Sequence, residues 1–250
     1  MIEARGLYKS FHDKKRGEIR AVENVSFTCQ PGKIYGLLGA NGAGKTTTLR
    51  LLATILEPTD GTAVVAGYDV VEQPEKVRAS VGFLSTATAL YPRLSAQEMV
   101  EYFGRLSGLD EQTLQQRIDN IFERLEMNHF RDRRCDKLST GMKQKISIAR
   151  TLVHDPPVMI FDEPTIGLDV MTARTIVAFI RECRDRSKTV IFSTHVMSEV
   201  EKLCDSIGII HGGKLLAEGT LAQLREKYNE NDLEEIFVKI VGPLHVEAEA

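Results

Sequence analysis

Gly39-Ala40-Asn41-Gly42-Ala43-Gly44-Lys45-Thr46-Thr47, standing directly after the apolar stretch Ile34 to Leu38, decides how this chain is read. The pattern G-x-x-x-x-G-K-T lies between an expected buried strand and an expected helix, Lys45 to Ala53, which is the setting a phosphate-binding loop requires. Its glycines let the backbone curl so that successive N–H groups point inward as an anion nest. The helix N-terminus adds unsatisfied donors and the positive end of its dipole. Gly39, Asn41, Gly42, Ala43, Gly44, Lys45, Thr46 and Thr47 are therefore the expected cradle. Lys45 is expected to reach the β- and γ-phosphates and the Thr46 hydroxyl to ligate Mg²⁺. The ligand implied is a nucleoside triphosphate.

A second signal lies downstream, where the wholly apolar Val158-Met159-Ile160-Phe161 is followed by Asp162-Glu163. Such a strand belongs in a parallel sheet covered on both faces, and its carboxyl end is where open α/β sheets place their ligand crevice. Asp162 is expected to hold Mg²⁺, directly or through water. Glu163, beside the γ-phosphate, is expected to polarise an attacking water. His195 follows the apolar strand Thr189 to Phe192 through Ser193 and Thr194. The residues alone leave it either a structural histidine or a partner of the γ-phosphate on the same rim. Leu138-Ser139-Thr140-Gly141-Met142 precedes a helix expected over Lys143 to Leu152. Ser139 suits an N-cap there, and Gly141 leaves backbone donors open.

With 250 residues the chain suits one large α/β domain, or a core with a small subdomain. Its net charge of −3 creates no global positive field, so no nucleic-acid partner is expected. The local clusters Lys14-Lys15-Arg16 and Arg131, Arg133, Arg134 read as solvated surface. Cys29, Cys135, Cys183 and Cys204 are far apart and lack metal-ligand spacing, which fits a reduced, cytosolic compartment. The N-terminus does not read as a signal peptide. No apolar run approaches the roughly 20 residues needed to cross a bilayer; at a membrane, another chain would provide the crossing.

Residues 1 to 38 read as strands: Ile2 to Leu7, then Ala21 to Thr28 after a charged turn, then Lys33 to Leu38. Glu57-Pro58-Thr59-Asp60-Gly61 is a turn signal, and strands follow at Thr62 to Ala66 and Val81 to Leu84. Ser95 to Leu106 and Glu111 to Met127 show helical periodicity with no strand between them, a helical subdomain over roughly 87 to 153. Alternation resumes with Met171 to Arg186 and Val196 to Leu203 as helices and Ile207 to Ile210 as a strand. His211-Gly212-Gly213-Lys214 reads as a hairpin turn and Leu221 to Lys227 as a helix. Leu233, Ile236, Phe237 and Ile240 fit a small amphipathic helix or a strand.

Taken together and in this order, the motifs resemble those of the ATP-binding subunit of an ABC transporter over residues 1 to about 220. The resemblance implies a P-loop NTPase core of α/β class with a parallel sheet, an N-terminal antiparallel β-subdomain and the inserted α-helical subdomain. Residues 221–250 then form a C-terminal extension. It also assigns Gly39 to Thr47 as the Walker A loop, Val158 to Asp162 as Walker B, and Glu163 as the catalytic carboxylate. Leu138 to Met142 takes the place of the signature sequence, Gly167-Leu168-Asp169 that of the D-loop, and His195 that of the switch histidine. Phe11 aligns with the aromatic that stacks on adenine; its plainer alternative is a strand-end core aromatic. Asp169 suits both its D-loop place and the N-cap of the following helix.

Two departures stand out. Thr140 and Met142 replace the usual glycine and glutamine of Leu-Ser-Gly-Gly-Gln, while Ser139 and Gly141 are kept. Thr86 stands where a Q-loop glutamine is expected, and its short hydroxyl cannot take the amide's role. Phe83 to Thr86, Leu90 to Leu94 and Leu138 to Gln144 are similar to the ABC-2 branch of sodium-extruding ATPases. The resemblance implies a homodimer, head-to-tail on ATP. One chain gives Lys45, Thr46, Asp162, Glu163 and His195, and the other closes the site with Ser139 and Gly141. It further implies a transmembrane permease subunit as partner, export as the direction, and a cytoplasmic position, peripheral on the inner face of the cell membrane. The rival reading is a soluble ABC ATPase in cofactor assembly or another non-transport role.

Overall fold

The computed structural model describes residues 1–14, 17–85 and 89–248. Its centre is a six-stranded sheet in the order β10-β9-β3-β8-β7-β6. These strands are β3 (Ile34–Leu38), β6 (Val81–Ser85), β7 (Val158–Asp162), β8 (Thr189–Thr194), β9 (Ser206–His211) and β10 (Lys214–Gly219). β9, β3, β8, β7 and β6 run parallel, and β10 returns antiparallel on β9. Every residue of β3, β7 and β8 is buried, as the unbroken apolar runs demand of strands covered on both faces.

Side chains of a strand alternate between faces, and the core divides accordingly. Val158 and Ile160 of β7 and Ile191 of β8 join a cluster with Leu7, Val22 and Phe27. The latter come from a second, antiparallel sheet, β2-β1-β4-β5, made of β1 (Ile2–Asp13), β2 (Gly17–Cys29), β4 (Asp60–Val65) and β5 (Tyr68–Asp69). Helix α1 (Lys45–Leu52) fills the same layer through Leu49, Leu51 and Leu52. Met159, Phe161, Val190 and Phe192 face the other way and pack against α3 (Ala96–Leu106), α4 (Glu111–Arg124), α5 (Thr140–Leu152) and α6 (Val170–Asp185). The short α2 (Pro74–Ser80), with proline in its first turn, escaped the sequence reading because seven residues are too few for periodicity.

The helix starts follow their caps. Ser95 and Glu98 form a reciprocal capping box on α3, and Asp110 caps α4. Ser139 accepts a hydrogen bond from the Met142 N–H at the head of α5. Asp169 accepts from the N–H groups of Met171 and Thr172 at the head of α6. The Thr172 hydroxyl donates to the same carboxylate (2.6 Å), and this bond, with the Thr172 and Met171 N–H groups, holds the Asp169 carboxyl below the ordinary aspartate range.

Some expectations change. β1 and β2 run as one long ribbon, pairing out to Asp13↔Gly17, where two shorter strands were expected; the largely polar residues 9–14 and 17–20 form its mostly exposed outer half, so polarity did not mark a strand end. The segment that read as helix or strand is a helix, α9 (Leu233–Ala248). With α7 (Met197–Leu203) and α8 (Leu221–Tyr228), it builds a third apolar cluster against β9 through Val200, Leu224, Leu233 and Ile236. Ile236 is fully buried in that cluster. Ile236→Ala is therefore expected to destabilise the protein by about 2–5 kcal/mol in urea unfolding; a loss below roughly 0.5 kcal/mol, the scale of surface changes, would mean that α9 is not part of the folded unit.

Candidate functional site

The cradle forms where β3 turns into α1. Gly44, immediately before α1, has φ 107°, and no side chain caps the helix, so the first N–H groups face the loop's hollow. A side chain on Gly44 would come within 2.5 Å of the Ala21 carbonyl oxygen, and one on Gly39 within 2.4 Å of the Ile210 carbonyl oxygen. Only glycine fits either position. Ala21, Asn41, Gly42, Gly44, Lys45, Thr46, Thr47 and Glu163 line a cavity of 310 Å³.

Three parallel strands deliver the rest. β8 lies between β3 and β7, with Leu38 opposite Thr194 and Ser193 opposite Asp162. The carboxyl ends of all three thus share one rim, which is why residues more than a hundred positions apart meet. Thr46 Oγ1 donates to Asp162 Oδ1 at 3.0 Å. Lys45 is only 4 % exposed; its Nζ donates to the carbonyls of Gly39 (2.7 Å) and Ala40 (3.0 Å) and pairs with Glu163 Oε1 at 2.9 Å. His195 Nδ1 lies 3.3 Å from Glu163 Oε2 without making an aligned hydrogen bond. The Thr194 hydroxyl donates to Glu199 (2.8 Å) and accepts the Val196 N–H (3.0 Å), holding the turn that carries His195.

A family model for ABC transporters matches residues 22–166. The chain is also 43 % identical over 239 residues to the ABC transporter ATP-binding protein NatA of Bacillus subtilis, covering 95 % of this chain and 97 % of that protein. The chain belongs to the ABC transporter family. It is the ATP-binding, ATP-hydrolysing subunit of such a transporter. This ABC ATPase is also 36 % identical to Nod factor export ATP-binding protein I of Burkholderia lata, over 94 % of the chain and 76 % of that relative. A solved ATP-binding subunit of an ABC transporter matches with a TM-score of 0.86 at 27 % identity, covering 96 % of this ATPase and 99 % of that chain.

The remaining expected site residues lie apart from the cradle. Ser139 and Gly141 are not among the residues lining it; Gly141 borders a separate cleft with Gln144, Thr172 and Thr175. Phe11 is 41 % exposed on β1, opposite Ile19, with Lys9 Nζ 5.4 Å from its ring centre. Its alternative reading as a core aromatic is therefore wrong: the ring lies near the Asp13↔Gly17 end of the ribbon and is exposed there. Thr86 falls outside the described residues.

Sequence reasoning missed three contributors to this ABC ATPase site. Ala21 lines the cavity from β2. Gly213 donates its N–H to the Ala43 carbonyl (2.9 Å) and accepts from the Glu23 N–H (2.8 Å), so the 211–214 turn braces the phosphate loop. Ser193 is wholly buried and bonded to Asp162. Nothing local in the sequence marks these positions, because each acts through a neighbour distant along the chain. Lys45→Ala is expected to weaken ATP binding by about 10- to 100-fold, since a hydrogen bond to a charged group contributes about 1.5–3 kcal/mol. Titration calorimetry measures this directly, and an unchanged dissociation constant would remove Lys45 from the cradle.

Proposed function

We propose that two copies of this ATPase close head-to-tail over two ATP molecules and drive a separate membrane permease in the direction of export. One observation carries the dimer: Lys45, Thr46, Asp162, Glu163 and His195 gather on one rim, while Ser139 and Gly141 head α5 outside it. In a head-to-tail pair the partner's α5 N-terminus would supply the missing donors to the γ-phosphate. The exposed ring of Phe11 is free to stack on the adenine.

The chemistry follows from the side chains at hand. Asp162 and Thr46 offer hard oxygen donors 3.0 Å apart beside the cradle, which fits Mg²⁺. Among the described residues no group of three or more His, Cys, Asp or Glu is arranged to hold a metal by itself. That suits a cation that takes most of its ligands from phosphate and water. When bound, Mg²⁺ neutralises charge on the transferring phosphoryl group. Lys45 now pairs with Glu163; triphosphate oxygens in the cradle compete for the same ammonium. Once Lys45 turns to the phosphates, the Glu163 carboxylate is released to accept a proton from the attacking water, with His195 3.3 Å away to orient it. Exclusion of water at the closed interface strengthens each of these contacts. Loss of the γ-phosphate removes the ligand that bridges the two copies, and the pair opens.

The permease seat is supported by an exposed apolar patch on the helical subdomain. Tyr91 and Tyr102 meet edge-to-face at 5.6 Å, and Leu106 follows one turn along α3. All three are exposed, a concentration that marks interaction surfaces. No helix among the described residues is long and apolar enough to cross a membrane; the permease would provide the crossing, with this subunit peripheral on its cytoplasmic side. The direction is supported by the relative named for Nod factor export.

Glu163→Gln is expected to keep ATP affinity, lower turnover by about 10²–10⁴-fold, and accumulate an ATP-bound dimer. Gel filtration with MgATP reads the dimer. A variant that stays monomeric at high concentration, or that turns over normally, overturns the reading.

A further inference from the structure

Ser193 is 0 % exposed, at the carboxyl end of β8 and in register with Asp162. Its Oγ lies 2.8 Å from Asp162 Oδ1 and 3.1 Å from the Glu163 N–H nitrogen. A hydroxyl has one proton and two lone pairs, whereas an ionised carboxylate only accepts. The Ser193 proton therefore goes to Asp162, and a lone pair receives the Glu163 N–H. Thr46 Oγ1 donates to the same Asp162 oxygen at 3.0 Å. With its proton spent there, Thr46 has only lone pairs left to offer a cation. Glu163 has φ 47°, a left-handed conformation that residues with a side chain adopt only when held. Its N–H is held by both Oγ (3.1 Å) and the main-chain oxygen (3.2 Å) of Ser193.

We propose that Ser193 is a positioning residue of the ATPase reaction, its one hydroxyl locking the metal-facing carboxylate of Asp162 and the backbone of Glu163 into a single hydrogen-bonded unit. This rests on the assignment of Asp162 and Thr46 to Mg²⁺ and of Glu163 to the attacking water. The hydroxyl is buried and bonded to Asp162 and to the Glu163 N–H. It acts by fixing the Asp162 rotamer, and through it the Thr46 proton, while setting the direction in which the next side chain leaves the backbone. Metal binding and water activation are thereby coupled through one atom.

Ser193→Ala tests this in the full chain, with Ser193→Thr as the variant that keeps the hydroxyl. Calorimetry with ATP alone and with MgATP gives the affinity gained from the metal; turnover gives kcat and KM. For Ser193→Ala, binding of metal-free ATP is expected to stay within about twofold, while kcat falls about tenfold or more, the scale of one hydrogen bond to a charged group. The affinity gain on adding Mg²⁺ is expected to shrink, and Ser193→Thr to recover both. A wild-type metal gain and kcat in Ser193→Ala would overturn the proposal. So would an equal loss of metal-free ATP binding together with a lowered melting temperature, which marks a merely structural hydroxyl. Thr46→Ala and Asp162→Asn separate the underlying reading: if neither alters the Mg²⁺ gain, the metal assignment itself fails, whereas if both do and Ser193→Ala does not, only the role of Ser193 falls.

Discussion

β8 runs between β3 and β7 in matched parallel register, and each group on the shared rim takes its position from that alignment. Parallel strands put all their carboxyl ends on one side of a sheet, so the phosphate loop, the acidic pair and the histidine emerge together without any being near another in the chain. A slip of one residue in any of the three would turn its side chains to the opposite face. The buried, two-sided apolar packing of these strands penalises such a slip heavily. The rigid sheet thus holds the site geometry, while the loops above it carry the chemistry.

The electrostatics of that rim centre on a cation withdrawn from water. Lys45 is nearly buried, and removing its charge from solvent is tolerable only because two carbonyls and a carboxylate surround it. Each of those partners is one a phosphate oxygen can replace. The loop is therefore held in shape by protein groups, which limits the ordering cost of binding. Glu163, in turn, sits between Lys45 and His195, so its surroundings change as soon as the lysine moves.

Much of this was legible in the sequence. The Gly-Lys-Thr loop, the apolar strand ending in Asp162-Glu163 and the interposed helical segment carried local signatures, because backbone conformation and burial leave compositional marks. Ser139 and Asp169 were readable as caps for the same reason. What escaped was set by tertiary context. Strand order cannot be read from any one strand, so the place of His195 stayed open until β8 was found between β3 and β7. Ser193, Ala21 and Gly213 serve through partners about 20 to 190 positions away, and a serine ending a strand looks like any other. The long β1–β2 ribbon was cut short because its outer half is polar, and exposed strands lose the alternation on which recognition depends.

The central strand carries one more consequence, for how the molecule comes into being. β3 ends at residue 38, yet its two hydrogen-bonded neighbours, β8 and β9, begin only at residues 189 and 206. During vectorial synthesis the phosphate loop leaves the ribosome long before either flank exists, and its brace at Gly213 comes later still. A nascent chain of the first 180 or so residues therefore exposes both edges of β3, and the pairing that finally closes them is far from local, a topology that slows folding. Nucleotide-binding competence is in this sense acquired only once residue 213 has been made, rather than when the phosphate loop itself is made.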